Sequence, residues 1–407
     1  MLRFKQYLAE AKEGKNLHLE HLEDEVLNNG VEGTRAAINF LQSLRDMLAG
    51  NSKSSVNVTV KWDGAPAIFA GINPENDKFF VGTKGVFNVS PKVNYTNADI
   101  DANHSSAGLN AKLKVALKYL SKLGIKNVLQ GDMLFTKEDL KTEKIDGKSY
   151  TTFQPNTILY AVPTDSSAKI LKAKMGIVWH TTYTGKKLED MKASFGASVS
   201  SLTKTSDVWF SDANYEDKSG TVNFNKSETD NITSVLSKAG RTFQTLDSGF
   251  MKNLLSKKDI LLLIKTYSNV KVRAGEEITN TSKHVDDIIE YVNVKIQKDV
   301  DKVKTQSSKD KKTKYKEEIM KYLLVNKNQL KKIFDMQNLL IQSKTLVIRK
   351  LEKAKGAMGT FIRTDNGFRV TAPEGFVAID NSGKAVKLVD RLEFSRANFT
   401  AAKAWDK

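Results

Sequence analysis

The chain is expected to fold as an α+β protein, a β-rich body interrupted by a large helical module, and three observations lead there. Short apolar stretches of strand length, set off by Gly, Asn, Asp and Pro turns, recur over residues 56–182 and again over 359–388. Between the two groups, residues 250–355 carry apolar side chains at three- and four-residue steps, the period of a helix with one buried face. With 407 residues, 40% of them hydrophobic, the chain can bury cores for two or three domains.

Taken in order, residues 1–15 (MLRFKQYLAEAKEGK) are short, charged and separate from the first apolar repeat. The stretch 18–48 reads as helix: Leu19, Leu22 and Val26, then Ile38, Leu41, Leu44 and Leu48, fall on one face, with a break at Asn28-Asn29-Gly30. Strands are expected at 56–62, 67–70 and 79–82, separated by turns at Asp63-Gly64 and Asn73-Pro74. An amphipathic helix over 109–123 precedes strands at 128–135, 157–162 and 176–182. Residues 191–249 are rich in Ser, Thr, Asp and Lys with little periodicity, and read as an irregular insert. Residues 250–356 form the helical module. Val285, Ile288, Ile289, Val292 and Ile296 make one apolar stripe; Leu330, Ile333, Phe334, Leu340 and Ile341 belong to another. Between the stripes runs a basic stretch, 302–321, containing KDKKTKYKEE. Strand character returns at 359–363, 367–371, 375–379 and 385–388, so that 16–190 and 357–407 together make the β-rich body.

Composition narrows the function. Lys and Arg number 64 against 47 Asp and Glu, a formal charge of +17 that favours a polyanionic partner. The absence of cysteine excludes disulfides, thiolate zinc sites and a cysteine nucleophile. No apolar run approaches the ~18 residues of a membrane span, so no membrane partner is expected. The first ten residues lack the apolar core of a secretory signal.

The informative string is Val60-Lys61-Trp62-Asp63-Gly64-Ala65-Pro66, which sets a lysine at a strand end just before a tight Asp-Gly turn. An amine so placed reaches into a cleft and becomes a nucleophile where burial or nearby cations favour its neutral form. Alone, K-x-D-G is a weak signal. Further candidates follow in order. Thr83-Lys84-Gly85 offers a second cation at the close of a strand. Gln130-Gly131-Asp132-Met133-Leu134 sets a carboxylate in an apolar strand, and Tyr160 sits in another. Pro373-Glu374-Gly375-Phe376-Val377 adds a second acid, and Lys387 lies in Ala385-Val386-Lys387-Leu388.

This ordered set resembles the covalent nucleotidyltransferase superfamily of ATP-dependent DNA ligases, RNA ligases and mRNA capping enzymes. The resemblance implies an adenylation fold of antiparallel sheets with flanking helices, covering roughly 55–190 and 357–400. It implies that Lys61 of K-x-D-G bonds to AMP from ATP, with Asp63 as part of the nucleotide-binding turn. Lys84 would lie near ribose and phosphate, Asp132 on the ribose or a metal, and Tyr160 against the purine. Glu374 would handle Mg²⁺ or Mn²⁺ and the phosphates, and Lys387 the α-phosphate. Where the family has K-x-K at its end, this chain has Val389 in the second position. Lys384 or Arg391 would then take that contact. DNA ligases and capping enzymes carry an OB-fold domain after the last lysine. Only about 20 residues follow Lys387 here, which implies RNA-ligase-like joining of 5′-phosphate to 3′-hydroxyl ends, with the basic module clamping the nucleic acid. DNA nick sealing stays open.

Two further strings resemble proteins of T4-like phages. His18-Leu19-Glu20-His21-Leu22-Glu23-Asp24, with V-K-W-D-G-x-P, looks like phage proteins of undetermined role. Residues 1–11 look like a capsid-targeting peptide cut after Leu8-Ala9-Glu10. The resemblance implies a protein of the infected host's cytoplasm, packaged in the virion head if the peptide is used. The alternative reading is a DNA-binding internal head protein with a repurposed nucleotide pocket. His18 and His21, three apart, are read as a solvated helix face rather than metal ligands, and Gly82, Gly85 and Gly131 as turn residues.

Overall fold

The strand-length apolar runs assemble into three sheets in the computed structural model, which describes residues 21–50, 57–214, 223–353, 358–364, 367–370, 374–379 and 385–392. After a 3-10 turn (Leu22–Asp24), helix α1 spans Glu25–Leu48 and is kinked at Gly30, within the expected break. Strands β1 (Asn57–Lys61), β2 (Ala67–Ile72) and β3 (Phe79–Gly82) come next, then α2 (Asn97–Asn103) and α3 (Ala107–Leu120). They are succeeded by β4 (Val128–Thr136), β5 (Lys141–Ile145), β6 (Lys148–Phe153), β7 (Leu159–Pro163), α4 (Ala168–Lys172), β8 (Met175–Thr184), β9 (Lys192–Phe195) and β10 (Val208–Asp212). Helices α5 (Lys226–Gln244), α6 (Ser248–Ser256), α7 (Lys258–Ala274), α8 (Thr281–Asp301), α9 (Gln306–Val325) and α10 (Lys327–Leu351) form the bundle. Strands β11 (Gly359–Thr364), β12 (Gly367–Val370), β13 (Gly375–Ile379) and β14 (Ala385–Leu388) close the described chain. The fold is thus mixed α+β, with mainly antiparallel sheets and a helical module. No helix among the described residues is long and apolar enough to cross a membrane.

The six-stranded sheet runs β10-β8-β4-β2-β3, with β9 also on β8. Its alternation sorts side chains cleanly. Ile68, Ala70, Met133, Ile177 and Trp179 face α3, whose Leu113, Ala116 and Leu120 are fully buried. On the other face of β4, Val128 joins an aromatic cluster of Phe69, Phe80, Phe87 and Tyr183. Leu134 joins a second cluster with Phe153, Ile158 and Tyr160. Gln130 and Asp132 come between the two clusters, a half-buried polar floor. The five-stranded sheet, β12-β11-β7-β6-β5, supplies the second cluster.

The three-stranded sheet, β1-β13-β14, is a shared layer. Val58, Val60, Phe376, Ala378, Val386 and Leu388 point into the core of the helical module. The strand edge of β1 meets the larger sheet, where Val60 N–H donates to the Ala213 carbonyl at 2.7 Å and Thr59 bridges Asn214.

Two expected boundaries are corrected. Residues 191–249 are not an irregular insert: β9 and β10 pair with β8, and α5 packs Ile232, Leu236 and Ala239 into the helical core. Its abundant Ser, Thr and Lys are the solvent face of an amphipathic helix, capped by Asn225 and Glu228. The helical module is also wider than 250–356, because α1 buries Val26, Leu41, Leu44 and Leu48 in the same core. Helical periodicity says that a face is buried, not against what.

The helical core encloses His284, 4% exposed, packed edge-on to Phe334 with ring centroids 4.5 Å apart. Burial, reinforced by Lys271, lowers its pKa to about 4. A histidine depressed in the folded state binds fewer protons there than when unfolded, so stability present above pH ~6.5 is lost as pH falls toward ~4. We expect the unfolding free energy from urea titration to fall between pH 7 and 4.5, by about 2 kcal/mol after allowing for partial solvation. The variant His284→Phe should flatten that slope; an unchanged slope would assign the acid sensitivity elsewhere.

Candidate active site

The site is built where β1 ends. Lys61 is the last residue of β1 and pairs with Gly375, the first of β13, which brings it beside Glu374. Lys61 Nζ and a Glu374 carboxylate oxygen form an ion pair in close contact; the side chains are 26% and 7% exposed. Gly375 adopts φ +145°, and a Cβ there would lie 2.5 Å from the Leu388 carbonyl oxygen. Only glycine lets β13 leave Glu374 and pass this close to the end of β14.

The turn after Lys61 is pinned from both sides. Ala65 N–H donates to the Met133 carbonyl at 2.8 Å, and Met133 N–H donates to that of Pro66 at 3.1 Å. Gly64 permits the approach, since a Cβ would stand 2.5 Å from Asp132 Cβ. Asp63, 3% exposed, accepts from Thr157 N–H and Ile158 N–H, each at 2.6 Å, and from Asn156 Nδ2 at 2.8 Å. Its own N–H donates to Tyr160 Oη at 2.8 Å. In this arrangement Asp63 is a bracket that ties the lysine turn to the entry of β7. Asp63→Ala strands two backbone donors and an amide, and is expected to cost about 2–4 kcal/mol in urea unfolding. Asp63→Asn, which keeps one acceptor oxygen, should cost about half as much. A loss below ~0.5 kcal/mol for the alanine variant would contradict the bracket.

Tyr160 is a core residue here, 2% exposed. Its ring lies between Trp62 and Phe153, with centroids 5.4 and 5.5 Å away, so both faces are covered by protein. Burial, with Asp63 alongside, pushes its phenol well above the ordinary range. The expected stacking on a purine is therefore not available to Tyr160 in this conformation.

Asp132 points onto the polar floor of the six-stranded sheet, 22% exposed, with His180 Nε2 3.7 Å from its carboxylate. His180 Nδ1 lies 2.8 Å from Thr181 Oγ1. Sequence reasoning passes over His180, whose one signal is the change from apolar Ile177-Val178-Trp179 to polar His180-Thr181-Thr182 within one strand. The carboxyl of Glu374 is raised above its ordinary range: burial is the main cause, opposed by Lys61 and reinforced by Asp63 and Asp132. That mutual influence brings Lys61, Asp63, Asp132 and Glu374 into one electrostatic neighbourhood.

The remaining candidates sit around it. Val377 pairs with Thr59 on one side and Lys387 on the other, so Lys387 shares the face of Lys61, opposite the helical core. Strand geometry separates the two Cα atoms by about 12 Å, within which two lysine side chains can flank one phosphate. Lys84 opens a 3-10 turn just after β3, exposed, at the end of the sheet where Ala67 pairs with Asp132. Lys384 and His18 lie outside the described residues. His21 is not a solvated helix face: it precedes the first 3-10 turn, and its Nδ1 is buried without a hydrogen-bond partner among the described residues. Burial, the largest effect, lowers its pKa to about 3.

Among the described residues no group of three or more His, Asp or Glu side chains is arranged to hold a metal. Asp132 and Glu374 supply two carboxylates. Mg²⁺ is commonly held by one or two carboxylates together with substrate phosphates, and the two residues match that number of protein ligands.

No curated protein and no solved structure matches the chain. A family model, described as a family of unknown function (DUF6267), matches residues 16–403, which takes in the helical module as well as every strand of the site; the chain belongs to that family.

Proposed function

We propose that the protein is an ATP-dependent nucleotidyltransferase that carries AMP on Lys61 and joins 5′-phosphate to 3′-hydroxyl nucleic-acid ends, in the manner of RNA ligases. The observation that supports this reading above all is Lys61 in contact with the buried Glu374, beside Asp132 and on the same face as Lys387. In the first step the Lys61 amine forms a bond to the α-phosphorus of ATP. The bond from that phosphorus to the bridging oxygen breaks, and pyrophosphate leaves. The Lys61 ammonium must first lose a proton, and Glu374, in contact and raised in pKa, is placed to take it. Lys387 and Lys84 neutralise phosphoryl charge. Asp132 would hold Mg²⁺ or Mn²⁺ with phosphate oxygens, Glu374 joining once its proton has passed on; bound there, the ion offsets negative charge on the phosphates. In the second step the 5′-phosphate of a nucleic-acid end takes AMP from Lys61, and in the third a 3′-hydroxyl displaces AMP.

The basic module supplies the contact to the strand. Between Lys295 and Lys316, from the end of α8 into α9, stand nine lysines and three aspartates. Only Ile319 and Leu323 of α9 are buried, so most of that helix faces solvent. Reversal of Lys309, Lys311 and Lys314 to Glu is expected to weaken polynucleotide binding by 10²- to 10³-fold near 0.1 M salt, and to lower the slope of log K against log salt by about 2–3. An unchanged slope would remove these lysines from the interface.

The test is incubation with α-labelled ATP and Mg²⁺ or Mn²⁺, followed by denaturing electrophoresis and peptide mapping. A label that survives denaturation and maps to the Lys61 peptide supports the reading. A second reading, a DNA-binding head protein with a repurposed pocket, is favoured by the covered ring of Tyr160 and the saturated Asp63. It expects no covalent label from protein stripped of AMP.

A further inference from the structure

The string His21-Leu22-Glu23-Asp24 has no part in the steps above, yet each of its residues is committed. The His21 backbone bridges Lys387 in parallel, along the outer edge of β14, the outermost strand of its sheet. Leu22 is fully buried in the helical core. Glu23 forms a buried ion pair with Lys344 of α10 at 2.7 Å, and its carbonyl accepts from Gln337 Nε2 at 3.1 Å. Asp24 pairs with Arg391 at 2.8 Å, four residues beyond Lys387, and the same guanidinium donates to Asn269 of α7 at 2.8 Å.

We propose that residues 21–24 are a strap that positions Lys387: the His21 backbone bridges the edge of β14 at Lys387 while Asp24, through Arg391, fixes the exit of that strand against the helical module. The strap is anchored in the helical core at Leu22 and Glu23, so the height of Lys387 over the site follows the bundle rather than the sheet alone. An edge strand with one paired side frays, and a lysine that must meet a phosphate loses rate steeply with displacement: about 1 Å can cost 10²-fold. Asp24 and Arg391 are therefore positioning residues, acting through Lys387. The role assigned to Lys387 rests on the nucleotidyltransferase reading; the geometry of the strap does not.

The test uses the full chain with Asp24→Asn, Arg391→Gln, and the exchanged pair Asp24→Arg with Arg391→Asp. Hydrogen exchange of the amides of residues 385–388, the KM for ATP and the rate of Lys61 labelling, and Tm are measured on each. The single variants are expected to speed exchange at 385–388 and to raise KM or lower the labelling rate by about tenfold or more, with Tm within a few degrees of the parent. The exchanged pair should recover most of both effects. Breaking the exposed Lys114–Asp101 pair should do neither. Unchanged exchange at 385–388 in both single variants overturns the strap. A lowered Tm with unaltered exchange and KM makes the segment a structural tether only. If the parent forms no Lys61 adduct, the nucleotidyltransferase reading fails, while the exchange result still decides the strap.

Discussion

Lys61→Met is expected to abolish the labelled adduct and, separately, to make the protein less stable at pH 8 than at pH 5 relative to its parent. The first effect rests on the proposed bond from AMP to the Lys61 amine at the end of β1. The second follows from Glu374. Its side chain is 7% exposed, burial raises its carboxyl, and Lys61 is the main group that opposes the rise. Without the ammonium the folded carboxyl moves further up. A carboxyl raised on folding binds a proton that the unfolded chain has already released, so stability is highest below the unfolded value of ~4.5 and falls as pH rises through the folded one. Lys61 is a quarter exposed, so the cost at pH 8 is set at about 1–2 kcal/mol, below that of a fully enclosed pair. The gap between parent and variant should shrink toward pH 5. His284 and His21 act in the opposite direction, but they are common to both proteins and cancel in the difference. The double variant Lys61→Met with Glu374→Gln should recover stability at pH 8 without recovering the adduct. Urea midpoints at the two pH values decide the matter: a gap that does not depend on pH would mean that Lys61 is not the counter-charge of Glu374.

The same pair shows which parts of the site are legible from sequence. Lys61, Asp132 and Glu374 lie in short strings whose turn and strand character is local, and the sheets bring them together with no long-range information beyond strand pairing. Asp63 and Tyr160 lie in equally readable strings, yet both turn inward. Whether a strand tyrosine faces a cleft or a core depends on which residues arrive opposite it, and Trp62 and Phe153 arrive from different segments. The β5–β6 hairpin escapes a sequence reading although Asp146-Gly147, both at positive φ, is a strong two-residue turn signal. β5 is mostly exposed and β6 runs from exposed Lys148 and Ser149 to consecutively buried Thr151, Thr152 and Phe153, so the alternation that marks a half-buried strand is missing. The deepest gap concerns α1 and α5. Each has a clear apolar face, but the partner of that face is a helix far along the chain. Periodicity therefore recovers α1 and loses the domain to which it belongs, whereas α5, rich in Ser, Thr and Lys, is lost as an element as well.

That loss hides the relation between the two halves of the molecule. The helical module reads as an insertion because it interrupts the β-rich body in sequence, but it packs directly on the sheet that carries Lys61 and Lys387. The inward face of that sheet is part of the helical core, and the outward face carries the candidate chemistry. A change in bundle packing is therefore felt at the lysines through one layer of backbone. On this geometry, α10 and the sheet that carries Lys61 and Lys387 share one core, while the six-stranded sheet packs its own.

Glu23→Gln and Lys344→Met are each expected to cost about 3–5 kcal/mol, among the largest losses available to a single side chain here. The two side chains are 1% and 2% exposed, and both carboxylate oxygens lie within 2.8 Å of Lys344 Nζ. Burial pushes the Glu23 carboxyl up, but Lys344 outweighs it and holds the group below its ordinary range. Removing either partner leaves the other charge in an apolar core, where desolvation has no compensation. The double variant Glu23→Met with Lys344→Met removes both charges at similar volume, and should be far more stable than either single variant, at or near the parent. Gln337 bonds the Glu23 backbone and keeps its acceptor in all three. Stability alone then gives no reason for the pair; its use would be to hold the 21–24 segment in one register on α10. That idea makes a further demand on the double variant: as stable as the parent, it should still show faster amide exchange at 385–388. Parent-like exchange there would leave the pair with no role that an apolar contact cannot fill.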